Sequence, residues 1–116
     1  MSKPVFQVFK GRNGQHYFRL KAANGEIIGN SEGYVSKQGA LNGIASVKLH
    51  SPYDHLYTFF NGREGQYYFN LKATNGEIIL ASEGYQTRAG AENGKASVKR
   101  DAPIAQIVDL TAHSYA

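Results

Sequence analysis

Six side chains combine aromatic, cationic and amide chemistry at the spacing of a strand face: Tyr17, Arg19 and Lys21, then Tyr68, Asn70 and Lys72. Residues two apart point to the same side of a β-strand, so each trio forms one column. Tyrosine rings stack on bases and cations hold phosphates. A sheet face carrying both suits an anionic partner such as single-stranded nucleic acid. The competing plain reading is an amphipathic solvent face, in which Tyr is present because it suits strands.

Other groups offer less. Glu32 and Glu83 sit in two copies of Ser-Glu-Gly-Tyr, at 31–34 and 82–85, and a symmetric carboxylate pair at a central seam would suit a hydrolase-like acid–base enzyme. The same segment also reads structurally, with Gly33 and Gly84 turning the chain while Tyr34 and Tyr85 anchor a helix entry. Gly11-Arg12-Asn13-Gly14 has the outline of a phosphate-clamping G-x-x-G loop, but it joins strands where that clamp joins helices, so it reads as a hairpin loop. His16, His50, His55 and His113 have no histidine at the equivalent place in the other repeat and form no metal or triad motif. No P-loop, dinucleotide fingerprint or nucleophile elbow occurs. No catalytic, cofactor-binding or metal-binding residue is therefore assigned.

Composition agrees with a binding role and narrows the alternatives. The chain has 116 residues, 13 Lys+Arg against 9 Asp+Glu, and a formal net charge of +4, which permits an anionic partner without demanding one. The absence of Cys excludes disulfides and thiolate chemistry. No apolar run approaches the roughly 18 residues of a membrane span. Met1 to Phe6 lacks the apolar run of a signal peptide, which makes the cytoplasm the expected location.

The elements that must position these side chains come in duplicate. With an offset of 51, residues 4–52 align without a gap on 55–103, and 28 of the 49 positions are identical. Val5–Phe9 and Leu56–Phe60 read as first strands, and the alternating segment from Gln15 to Ala22, with its second copy, as second strands. Asn24-Gly25 and Asn75-Gly76 signal two-residue type I′ hairpins leading into third strands at 26–31 and 77–82. In that register Phe18, Leu20 and Ala22 oppose Ser31, Gly29 and Ile27 on the apolar face, leaving Ile28 and Ile79 on the opposite face with the tyrosines. Ser36 and Thr87 are expected N-caps of helices running to about Lys48 and Lys99. Ala40, Ile44 and Val47 share a helical face, and Lys95 interrupts its copy, Ala91-Lys95-Val98. Helical Gly39/Gly43 and Gly90/Gly94 imply close approach of the helix to the sheet or to its twin. Residues 104–110 read as a further strand, with fraying from Thr111 onward. One unit is too small to hold a core alone, so two should share one sheet.

The doubled strand–Asn-Gly–strand segment, the Ser-Glu-Gly-Tyr connector and the helix sequence Asn42-Gly43-Ile44-Ala45-Ser46-Val47-Lys48 resemble the YegP-type family of small bacterial proteins. The resemblance covers both repeats. It implies β-β-β-α-β units that form a single sheet and exchange their C-terminal strands, with single-repeat relatives building the same object as dimers. It brings no assigned biochemical function. Lys95 departs from the pattern, which has Ile there.

The expectation is thus an α+β protein over residues 1–116, a single pseudo-two-fold domain with repeats at about 4–52 and 55–110. Its shared antiparallel sheet carries both helices on one face, with C-terminal strands exchanged between repeats. It is expected to be a monomeric, non-enzymatic binding module without a cofactor, with the Glu32/Glu83 enzyme as the alternative.

Overall fold

The computed structural model describes residues 3–111. In chain order the elements are β1 (Val5–Lys10), β2 (His16–Lys21), β3 (Ile27–Asn30), α1 (Lys37–His50), β4 (Tyr57–Asn61), β5 (Tyr67–Lys72), β6 (Ile78–Ser82), α2 (Arg88–Asp101) and β7 (Gln106–Asp109). All seven strands form one sheet in the order β4-β5-β6-β3-β2-β1-β7. The α+β class and the sheet shared by two repeats agree with the sequence reading. The two halves meet where β3 pairs antiparallel with β6 through Gly29↔Ser82 and Asn30↔Ala81. Asn30 and Ala81 are equivalent under the repeat offset, so an approximate two-fold passes between them.

Helix starts are set by side-chain caps. Ser36 Oγ accepts from Gly39 N at 3.0 Å, and Thr87 Oγ1 accepts from Gly90 N at 2.9 Å. Each satisfies one amide that the first turn leaves without a carbonyl. Ala40, Ile44 and Val47 of α1 are fully buried with Phe6, Val8, Phe18 and Leu20. Ala91 and Val98 of α2 join Phe69, Leu71 and Leu80 in the same continuous core.

Three expectations need correction. First, β7 runs parallel to β1, pairing Phe6 with Ile107 and Val8 with Asp109, so the sheet is mixed where it was expected to be antiparallel. A strand that leaves α2 in the second half and crosses to the first half's edge arrives in that direction. Second, the Asn-Gly hairpins are not type I′. Gly25 N bonds to Ala22 O at 2.9 Å, Gly25 has φ +88°, and among the described non-glycine residues only Glu64 has positive φ. The loop is a type I turn closed by a left-handed glycine, and Gly76 with φ +89° repeats it. Third, this longer turn puts a bulge after Leu20↔Gly29, so Lys21 pairs with Ile27. Ile28 and Ile79 are consequently buried in the core, at 5% and 6% exposure, while Ile27, the residue opposite Lys21, is 38% exposed.

The expected fraying from Thr111 falls mainly on residues 112–116, outside the described residues. Among the described residues, no helix is long and apolar enough to cross a membrane.

Candidate functional site

Both helices pack on the side of the sheet that carries Phe6, Val8, Phe18 and Leu20. The alternation then places Gln7, Phe9, Tyr17, Arg19 and Lys21 on the other side, which no described element covers. Tyr17, Arg19, Lys21, Tyr68, Asn70 and Lys72 are all half-buried, so none is lost beneath a loop or beneath β7.

Each tyrosine is held by its neighbours. Tyr17 stacks on Phe9, its cross-strand partner, with centroids 5.7 Å apart and 17° between planes. Tyr68 stacks on Phe60 at 5.5 Å and 14°. Glycines from two loops make room for each ring. A Cβ on Gly11 would lie 2.7 Å from Tyr17 Cε1, and one on Gly33 would meet Gln15 Oε1 first and lie 3.1 Å from the Tyr17 hydroxyl. Gly62 and Gly84 serve Tyr68 in the same way. The glycine of Ser-Glu-Gly-Tyr is therefore a seat for the tyrosine of β2 or β5. Arg19 lies over the Phe9 ring, 4.4 Å from its centroid, and its Nε donates to Gln7 Oε1 at 2.8 Å. Asn70 stands at the equivalent place beside Phe60, so the two halves differ in charge here.

A row that is polar except at Ala81 runs across the middle of this face through paired residues: Gln7, Arg19, Asn30, Ala81, Asn70 and Thr58. Tyr17 on β2 and Tyr68 on β5 lie on opposite sides of this row, three strand spacings across and about four residues along the strands, which sets them about 20 Å apart. Glu83 reaches the row, accepting from Asn30 Nδ2 at 2.6 Å.

Glu32 and Glu83, expected as a pair, line different clefts. Glu83 shares a cleft with Glu26, Tyr85 and Arg100, whereas Glu32 lies with Glu77 and Tyr34. In each cleft the hairpin of one repeat faces the connector of the other, because β3 and β6 are antiparallel neighbours. Burial pushes the Tyr34 hydroxyl up, with help from Glu77 and Glu32. Burial and then Glu83 and Glu26 do the same for Tyr85. These cross-repeat carboxylate pairs were not visible in the sequence. The order of strands at the seam creates them, and no local motif encodes it.

The remaining candidates are structural. Gly14 takes φ +83° and closes the 11–14 hairpin loop with its amide on Gly11 O at 3.0 Å. His50 Nδ1 lies 2.8 Å from Ser46 O within α1, and His55 packs edge-on against Tyr53. His16 bridges to Tyr34, with its Nδ1 buried and unpartnered. His113 lies outside the described residues. Among the described residues, no group of three or more His, Asp or Glu could hold a metal ion.

Known proteins carry this pattern. The model of the domain of unknown function DUF1508 matches residues 12–57 and again residues 63–109. The UPF0339 protein YegP of Yersinia pestis is 45% identical over 106 residues, covering 91% of this chain and 95% of its own. A UPF0339 protein of Shewanella oneidensis has a solution NMR structure that superposes with a TM-score of 0.87 at 42% identity, covering 96% of this chain and 93% of that one. The solution NMR structure of yegP from E. coli, described as a protein of unknown function, gives 0.90 at 40% identity, covering 98% of each chain.

Proposed function

The chain belongs to the DUF1508 family, a membership that brings a fold and no reaction, and from it we propose that this protein is a small binding module. Its open sheet face holds an anionic partner, and single-stranded nucleic acid is the class whose chemistry fits that face. The module acts as a monomer, because one chain already supplies both repeats.

The observation that carries the reading is the pair of seated tyrosines, Tyr17 and Tyr68, at equivalent places on a face that no described element covers, with Arg19, Lys21 and Lys72 on the same face. Bases stack on aromatic rings whatever their sequence, and each stacked base contributes about 1–3 kcal/mol. The cations neutralise phosphates, which makes binding salt-dependent. Glu83, hydrogen-bonded to Asn30, opposes an anion at the centre of the face. No observation among the described residues favours the alternative of an enzyme built on Glu32 and Glu83.

Titration against short single-stranded RNA and DNA at two salt concentrations tests the proposal. Tyr17→Ala with Tyr68→Ala should weaken binding roughly tenfold or more, on the scale of one stacked base. Glu83→Gln should tighten it. An absence of binding by the intact chain at low salt removes the nucleic-acid reading.

A further inference from the structure

Strand β7 lies along the outer edge of β1, and helix α1 reaches it and the turn before it through two lysines. Lys37 of α1 binds the Asp109 carboxylate at 2.8 Å, and Lys48 Nζ donates to Ala105 O at 2.5 Å. Leu110 N donates to Val8 O at 2.8 Å, and Ala102 and Ala105 are buried there. The repeat offset carries this site onto the other edge of the sheet. There β4 replaces β1, and Phe59 replaces Val8 in the same register against its neighbour, Phe59↔Phe69 for Val8↔Phe18. Arg88, Lys95 and Lys99 of α2 replace Lys37, Ile44 and Lys48.

This second site is open. Among the described residues nothing pairs with the outer edge of β4. A cleft of about 390 Å³ lies beside it, walled by Asp54, Phe59, Arg88, Glu92, Lys95 and Lys99. Two of its three cations lie over an aromatic floor. Arg88 lies 4.5 Å over the Phe59 ring, and Lys95 lies 5.1 Å from the Tyr57 centroid. Asp54 bridges Lys95 at 3.2 Å and Lys99 at 2.6 Å while remaining 68% exposed at its side chain. It supplies the acceptor that Ala105 O supplies to Lys48 at the filled edge.

We propose that the β4–α2 groove is a docking site for an extended acidic peptide segment of a partner protein. The segment adds to the sheet as a strand parallel to β4, the way β7 adds to β1. Main-chain bonds to the free edge supply affinity, and alternate side chains supply specificity. In β7 the residues on the helix side are Ile107 and Asp109, opposite buried Phe6 and Val8. The equivalent peptide positions in the open groove face Arg88 and Lys95, so acidic side chains are preferred at both. The groove thus keeps the backbone geometry of the β7 site and exchanges its apolar centre, Ile44, for a cation.

The test uses the full chain, isotopically labelled, and a synthetic peptide spanning residues 102–110 with Ile107→Glu. Amide shifts should map to Phe59 and Asn61, the outward-facing positions of β4 equivalent to Val8 and Lys10, and to α2. The unmodified 102–110 peptide should bind roughly fivefold more weakly, the scale of one exposed ion pair. Asp54→Asn, which removes one of the two carboxylates that already pair these cations (Glu92 bridges Arg88 at 3.3 Å), should tighten binding. Lys95→Glu should weaken it roughly tenfold with the circular dichroism spectrum unchanged. Lys95→Ile should reverse the preference between the two peptides. Equal binding of the two peptides to the intact chain overturns the proposal. So do shifts confined to β1 and α1, which mean displacement of β7, and a dimer of the free chain that buries β4.

Discussion

The helical glycines show how a single side chain decides the sign of a substitution. In an open helix Gly→Ala gains about 1 kcal/mol. At Gly43 the new Cβ would meet Phe18 Cε2 at 2.8 Å and the Tyr34 hydroxyl more closely still, and Gly94 meets Tyr85 in the same way. Gly43→Ala and Gly94→Ala should each destabilise by about 1–3 kcal/mol, as overpacked core sites do. At Gly39 the nearest atoms would be Ser36 Oγ at 3.3 Å and Tyr34 Cβ at 3.4 Å, so Gly39→Ala should be neutral or stabilising. Urea unfolding of the three variants checks this, and a similar loss at Gly39 and Gly43 would defeat it. The sequence carried the spacing of these glycines and the closeness it implies. It did not carry the partner, because Tyr34 and Tyr85 reach the helix from the connector that precedes it. The glycines at 11 and 33 hid their reason in the same way: the ring they seat belongs to β2.

Among the elements, β7 is held with the fewest resources. All four of its residues are exposed, and among the described residues it pairs with β1 alone. Its last residue carries the fastening. The Lys37 ammonium, followed by the Thr111 hydroxyl and amide, holds the Asp109 carboxyl well below its ordinary value of 3.8. A carboxyl depressed in the folded state binds protons more readily once the strand is released. Its stabilising effect is therefore complete above the ordinary value and fades as pH falls toward the depressed one. Protection of the Leu110 amide, which bonds to Val8 O, should be lower at about pH 3 than at about pH 6, on either side of 3.8. Asp109→Asn should show the lower protection at both. Unchanged protection in acid would mean that backbone pairing alone holds the strand.

Periodicity made most of the elements legible: β1, β2, both helices and their caps fall where alternation and Ser/Thr placement put them. It failed at the hairpins because Asn-Gly serves two turn types, and the choice of type moved Ile28 from the open face into the core. The Tyr/basic columns kept their side because they lie on the β2 and β5 sides of the bulges. The crossing of β7 to β1 was legible only as an implied strand exchange, without its parallel direction. Lys95 was legible as a departure from the repeat, but its meaning required seeing that, among the described residues, the sheet edge on its side is open where β7 occupies the one on the side of Ile44.

At the scale of the whole molecule, neither repeat closes a core by itself. Strand β3 is bordered by β6 of the other repeat, and β1 is bordered by β7, which follows α2. Helix α1 packs across the seam on β5 and β6 as well as on its own β1 and β2. The core is one cluster drawing Phe6, Phe18 and Ile44 from the first half and Phe69, Leu80 and Val98 from the second. Cutting between residues 52 and 53 therefore exposes the apolar side of β3 in one fragment, and in the other leaves β6 without its neighbour and β7 without β1. A fragment of that size has too little remaining interior to offset its chain entropy. Each fragment alone should give a collapsed or concentration-dependent NMR spectrum, and an equimolar mixture should recover the dispersed spectrum of the intact chain. The association should saturate at one to one, because the two sets of broken edges are complementary in register as well as in apolar surface. A dispersed, concentration-independent spectrum from either fragment alone would show that one repeat carries enough core to fold, and the shared-core argument would fail.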